Sequence, residues 1–233
     1  MILHYCENID EEYTFLNEEE SQHITKVLRK KNGDKLNIIN GKGFFCEAEI
    51  VQEHQKHCKI KIISKEKKEN SRDYKIHIAI APTKSIDRFE WFIEKAVEIG
   101  IDEITPIITF HSERRVIKED RIKKIILSAI KQSHEFYMPV LNKISSFENF
   151  IKQQYIENKY IAHCYKDPKV LLSKEYVKNN DAIILIGPEG DFSELEVKLA
   201  ISSGYKSISL GTSRLRTETA GIVACCTISV LNQ

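Results

Sequence analysis

No apolar run in this 233-residue chain approaches the roughly 18 to 20 residues that a membrane span needs. The first residues, MILHYCENIDEEY, lack the basic-then-apolar pattern of a secretory leader, so a cytoplasmic location is expected. Charge of one sign is missing too. Lys and Arg number 35 against 34 Asp and Glu, a formal net charge of +1, so any basic surface must be local and the total argues neither for nor against a nucleic-acid partner. The six cysteines (Cys6, Cys46, Cys58, Cys164, Cys225 and Cys226) form no Cys-x-x-Cys pair, and most lie in apolar patterns where a thiol behaves as a small hydrophobe. His54, His57 and Cys58 are the one local cluster with metal-capable side chains. No second ligand pair stands at zinc-site spacing, so no metal is expected and the cluster reads as a hairpin tip. There is neither a G-x-G-x-x-G fingerprint nor a P-loop, which disfavours a cofactor held by its phosphates. Repeats and low-complexity segments are absent.

What is present is a chain with 42% apolar residues, enough for the core of one large domain or two modest ones. From Met1 to about Arg72 the pattern is short strands and turns. Ile2–Tyr5, Lys35–Ile39, Phe44–Val51 and Cys58–Ile63 read as strands, Ser21–Leu28 as a helix, and the turns at Asn32-Gly33-Asp34 and Asn40-Gly41-Lys42-Gly43 suit positive φ. Lys65–Arg72 has no apolar residue and is expected to be a linker, with domains over 1–70 and 73–233.

Beyond it, strand and helix alternate. Ile76–Ala81, Ile104–Ile108, Pro139–Ile144, Tyr160–Cys164, Ala182–Ile186 and Ser207–Leu210 are strand-like. Arg88–Ile99, Glu119–Gln132 and a segment near Phe147–Gln154 are helical. This predicts an α/β fold with a mainly parallel sheet covered by helices on both faces. Ser193 and Glu196 fit a capping box for a helix that ends at Gly204, and Thr217 is a candidate N-cap for the last helix.

Two adjacent strand-loop-helix units close the chain, and ligands of open α/β sheets sit where such loops leave the carboxyl ends of the strands. The loop Gly187-Pro188-Glu189-Gly190 alone reads equally as a structural turn. In the second loop, Arg214, Arg216, Thr217, Glu218 and Thr219 crowd charge and hydroxyls before an apolar helix. Cations at a helix N-terminus oppose its dipole, so the arginines imply an anion partner or a local salt bridge with Glu218 or Glu189.

Together GPEGDFSELE, a strand ending in Leu210-Gly211, and RLRTETA resemble the SPOUT methyltransferases that modify N3 of a uridine in small-subunit (16S) ribosomal RNA. The segments TKSIDRFEWFIEKAVEIGIDEITPI from Thr83 and QHITKVLRKKNGDKL from Gln22 resemble the same family, so the likeness spans nearly the whole chain. It implies a SPOUT-type knotted parallel sheet with a C-terminal trefoil knot, a small N-terminal PUA-like β-barrel that grips RNA, S-adenosylmethionine as cofactor, a homodimer, and 16S ribosomal RNA within the small subunit as partner. By position it assigns the cofactor to Ile186, Gly187, Pro188, Glu189, Gly190, Leu210, Gly211, Leu215, Arg216, Thr217 and Ala220. Arg216 and Glu218 are the implied catalytic pair, the arginine stabilising a developing uracil anion and the carboxylate orienting it or accepting the N3 proton. Arg29, Lys30, Lys31, Lys84, Arg88, Arg114 and Arg115 are the candidate phosphate contacts.

Two stretches depart from the family's pattern. Lys131-Gln132-Ser133-His134-Glu135 stands where Glu-Gln-Ser-Gly-Arg is expected, and Asp191 replaces a usual glycine. The rival expectations are a non-catalytic RNA-binding or ribosome-assembly protein of the same fold and, last, a small-molecule enzyme with a nucleotide cofactor.

Overall fold

The computed structural model describes residues 1–70, 72–153 and 158–233. The chain divides into two compact units, one of Met1–Ser71 with Leu127–Met138, the other of Arg72–Ile126 with Pro139–Gln233.

In the first unit β1 (Leu3–Tyr5), β2 (Tyr13–Phe15), β3 (Lys35–Ile39), β4 (Phe44–Gln52) and β5 (Lys59–Lys67) form a sheet in the order β1-β3-β4-β5-β2. Only the β1–β3 pair is parallel. Ile38, Cys46, Ala48, Ile50 and Ile60 alternate into a core closed by Leu16 and Ile24. The expected helix at Ser21 starts earlier, as α1 (Glu18–Gln22), because Asn17 caps it by accepting the Glu20 N–H at 2.8 Å. From His23 to Val27 the chain widens into a π-helix. The expected linker at Lys65 is partly strand. β5 runs on to Lys67 because its backbone pairs with Phe44–Cys46, and Lys65 Nζ lies 4.5 Å from the centre of the Phe44 ring. At the hairpin tip, His54 Nδ1 accepts the N–H groups of Lys56 and His57.

The second unit is built on an eight-stranded sheet. Its strands are β6 (Ile76–Ile80), β7 (Glu103–Ile108), β8 (Val140–Leu141), β9 (Ser145–Ser146), β10 (Asn158–Ala162), β11 (Val170–Leu171), β12 (Ala182–Ile186) and β13 (Lys206–Ser209). The order is β11-β13-β10-β12-β6-β7-β8, with β9 also on β7, and every pairing is parallel. β6 and β12 are buried at all five positions, as central strands covered on both faces must be. Its helices are α2 (Ile86–Ile99), α4 (Phe147–Ile151), α5 (Leu172–Glu175), α6 (Glu194–Ser202) and α7 (Thr217–Leu231), while α3 (Glu119–Ser133) begins in this unit and from Leu127 belongs to the first. α2 turns Phe89, Phe92, Ile93, Ala96 and Val97 inward and stops at Gly100, whose φ of 99° only glycine adopts cheaply. α4 ends at Ile151, and Gln154, the expected end, lies outside the described residues.

α7 packs on α2 at Gly221. A Cβ there would meet Phe92 Cε2 at 2.5 Å, deep in rigid core. Gly221→Ala is therefore expected to cost about 1–3 kcal/mol of stability, read as a lowered denaturant midpoint with unchanged slope.

Candidate active site

The closing strands are not neighbours, as the sequence pattern implied. β10 lies between β12 and β13 and is parallel to both. Three loops, not two, therefore open side by side at the carboxyl edge. The third begins at His163, because β10 spans Asn158–Ala162 rather than the expected Tyr160–Cys164 and leaves His163 and Cys164 beyond the strand.

These loops enclose two adjoining cavities of about 250 and 270 Å³ that share Ala162, Cys164, Arg214, Leu215 and Ala220 as lining. The first adds Leu210, Gly211 and Ile208 with His163. Burial, reinforced by nearby Lys169, holds the His163 imidazole below its ordinary pKa, which favours its neutral form. The second cavity adds Ile186, Gly187, Pro188, Glu189, Asp191, Arg216 and Thr217. Of the residues expected around a cofactor, ten thus line one cavity or the other. Gly190 lines neither; a Cβ on it would sit 2.9 Å from His111 Cβ, so it is glycine to let two loops meet.

Hydrogen bonds draw the loops together. The Thr217 hydroxyl is buried and donates to the Gly187 carbonyl at 3.0 Å, tying the loop after β13 to the loop after β12. That bond corrects the expected N-cap. Thr217 is the first residue of α7, its hydroxyl is committed elsewhere, and Arg216 holds the cap position without a side-chain bond. The expected capping box of α6 is present, with Ser193 N donating to Glu196 Oε2 at 2.7 Å and Glu196 N to Ser193 Oγ at 3.3 Å. Glu196 does more than the motif requires, since its Oε1 accepts the Phe110 N–H at 2.8 Å and so holds the loop after β7.

The charged groups divide by partner. Among the described residues neither Arg214 nor Arg216 has an ion-pair partner, so the local salt bridge weighed for them is not formed. Both are exposed; Arg214 lines both cavities and Arg216 only the second. Glu218 is 7% exposed and lines neither cavity. Its Oε1 is 3.9 Å from Arg88 Nε, and its Oε2 is buried without a partner. Arg114 is committed to scaffolding, donating from Nε to the Thr83 carbonyl and from Nη2 to the Lys84 carbonyl. Lys84 donates its N–H to Glu189 and pairs through Nζ with Glu113 at 2.9 Å, while Arg115 is exposed beside them. In the first unit Arg29 is exposed in a left-handed conformation (φ 54°), and Lys31 Nζ lies 3.6 Å from Glu53. Lys30 is half-buried.

The donor set suits the nucleoside implied by the resemblance. The first cavity offers Ile208, Leu210 and Leu215 for a flat base, with Lys169 and Arg214 at its border; the second combines the apolar Ile186, Pro188 and Leu215 with Glu189, Asp191 and Arg216. Among the described residues no group of three metal-capable side chains converges.

Comparison with known proteins identifies the family and the fold. An RNA methyltransferase domain family matches residues 68–229, and an RNA methyltransferase PUA domain matches residues 16–63. The chain is 31% identical to ribosomal RNA small subunit methyltransferase E of Mesomycoplasma hyopneumoniae, over 89% of this chain and 94% of that protein. It is similar to the crystal structure of a probable rRNA-methyltransferase from Porphyromonas gingivalis, with a TM-score of 0.93 and 40% identity over 100% of this chain and 98% of that one. A putative methyltransferase from Legionella pneumophila, in complex with bound cofactor SAM, superposes with a TM-score of 0.88 and 29% identity over 99% and 97%.

Proposed function

The chain belongs to the RNA methyltransferase family, and from that premise we propose that it transfers a methyl group from S-adenosylmethionine to N3 of a uridine in small-subunit ribosomal RNA. The observation that carries the reading is Arg216, exposed and without an ion pair at the second cavity, on a loop fixed to the cofactor loop by Thr217.

The cofactor is S-adenosylmethionine, which supplies an electrophilic methyl on a sulfonium. Leu210, Gly211 and Leu215, which line the first cavity, would hold its adenosine, and Ile186, Gly187 and Thr217, which line the second, would border its methionine end. The chain's own work is alignment and charge control. Arg216 faces an incoming base and would stabilise the uracil anion at a carbonyl oxygen once the N3 proton has left; the methyl that N3 then takes would be released from the sulfonium sulfur, which departs as a neutral thioether. Glu218, with Arg88 as its cation, either accepts that proton or fixes Arg88. Arg29, Lys30, Lys31 and Arg115 are the groups we assign to RNA phosphates, within the cytoplasm, with Lys84 and Arg88 in shared roles. The placement of β10 between β12 and β13, with their three loops converging, supports a knotted C-terminal segment.

We assign a homodimer to α7. A helix apolar on all sides belongs in an interior, yet Ile222, Val223 and Cys226 are left half-buried on this one. Val223→Glu is expected to convert a dimer to a monomer in light scattering; a monomeric native protein would contradict the assignment.

The direct test is mass spectrometry of ribosomal RNA from cells lacking the protein. One missing N3-methyluridine, restored by the native gene, is the expected result. Unchanged RNA together with unaltered subunit methylation in vitro would favour the non-catalytic RNA-binding reading.

A further inference from the structure

Asp191 stands in a conformation that few residues adopt. Its φ is 65°, in the left-handed region where glycine, asparagine and aspartate are least strained. Every polar group it has near the backbone is used. Its Oδ2 accepts the Cys164 N–H at 2.7 Å and its Oδ1 accepts the Phe192 N–H at 2.8 Å, while its carbonyl is 3.0 Å from His111 Nδ1. Its own N–H donates to the Pro188 carbonyl at 2.9 Å. One residue therefore joins the loops after β7, β10 and β12. Its carboxylate, half-buried in the wall of the second cavity, is fixed from two sides.

The charges around that cavity give the fixed carboxylate a task. Arg216 and Thr217 line the second cavity and not the first, so the reacting end of a cofactor must lie in the second. Two arginines, Arg214 and Arg216, also line it without ion-pair partners. A cationic sulfonium brought there meets two like charges. Of the carboxylates that line the cavity, Glu189 is exposed and turned to the Lys84 N–H. Asp191 is the one held rigidly between the loops that form the walls. Resting on the cofactor reading above, we propose that Asp191 is a specificity-determining residue that makes the site prefer the cationic cofactor over its neutral demethylated product. The two ligands differ by one methyl and one positive charge; apolar walls disfavour burying the charge, whereas a fixed carboxylate favours it. The consequence is easier release of product after transfer.

The test is calorimetric binding of S-adenosylmethionine and S-adenosylhomocysteine to the full chain and to two variants. Asp191→Asn keeps the size and tolerates the left-handed backbone but, with one acceptor oxygen, gives up one of the two bonds from Cys164 N and Phe192 N; Asp191→Gly gives up both and relieves the backbone strain, and each variant is checked for folding by its melting temperature. In both, the ratio of the two affinities is expected to shift about tenfold towards the neutral ligand. A residue that served only as a latch would weaken both ligands alike. An unchanged ratio in a folded variant overturns the inference while leaving the cofactor reading intact. If the native protein bound neither ligand, the cofactor reading itself would fail, and the inference with it.

Discussion

Arg216→Ala is expected to lower single-turnover methyl transfer about 10² to 10³-fold while leaving the dissociation constant of S-adenosylmethionine within about threefold. The split follows from where the side chain stands. Arg216 precedes α7 at the N-cap, its side chain makes no capping bond, and it is exposed with no ion-pair partner. Removing it breaks nothing that holds the fold. The walls assigned to the nucleoside, Leu210, Gly211 and Leu215, are untouched. What disappears is a cation whose main effect comes when negative charge develops on the base; the repulsion of the sulfonium that goes with it would, if anything, tighten cofactor binding slightly. Undiminished transfer would remove Arg216 from the mechanism, whereas an equal loss of cofactor binding would make it a binding group. Glu218→Gln is the companion measurement. A rate falling as far as in Arg216→Ala, with the melting temperature unchanged, identifies the proton acceptor. A lowered melting temperature with a modest change in rate identifies a support for Arg88, which the 3.9 Å separation and 7% exposure favour.

Local features were legible in the sequence and long-range ones were not. The Ser193–Glu196 box, the apolar stripe of α2 with its glycine stop, and the buried run of β12 each depend on residues within a few positions of one another. The third loop of the site depends on β10 falling between β12 and β13, and nothing near Tyr160 encodes which strands it will meet. Lys65–Lys67 read as linker because the eye follows side chains, and strand pairing needs only backbone. The grouping of 127–138 with the first unit was invisible for a similar reason, since the stripe of α3 is one unbroken helical period from Ile122 to Ile130. At the site, the positions of the glycine loops and Arg216 were readable from the motif. That Arg114 spends its guanidinium on two carbonyls and that Arg88 is the cation of Glu218 required the fold. The two departures from glycine share one explanation. Asp191 and His134 both keep the left-handed backbone, with φ of 65° and 60°, that glycine would have taken without strain.

A third departure, Lys131, leads to the largest stability effect expected in this chain. Glu20 is 2% exposed, and its two carboxylate oxygens are met by His4 Nδ1 at 3.2 Å and Lys131 Nζ at 2.5 Å. A glutamate at position 131, as the family's pattern has it, would face Glu20 with a like charge; the lysine instead neutralises it. Lys131→Met leaves a buried carboxylate with one neutralisable partner, and the cost is expected at about 3 kcal/mol, the lower end for a broken buried pair because Lys131 retains some solvent contact. Glu20→Met with Lys131→Met should recover most of it, since removing both charges also removes the desolvation cost. The pH dependence fixes the sign independently. Burial works to raise the Glu20 pKa, but the hydrogen bonds from His4 and Lys131 outweigh it and hold the group below its ordinary 4.5. A depressed carboxylate stabilises the fold above its unfolded pKa and ceases to do so as pH falls through the folded value. Without Lys131 the same burial is opposed less, Glu20 protonates more readily, and the variant is relieved by acid that harms the native protein. Urea unfolding should therefore show the gap between native and Lys131→Met narrowing from about pH 7 to about pH 4. A gap that stays constant would mean that Lys131 acts through its packed stem and not through its charge.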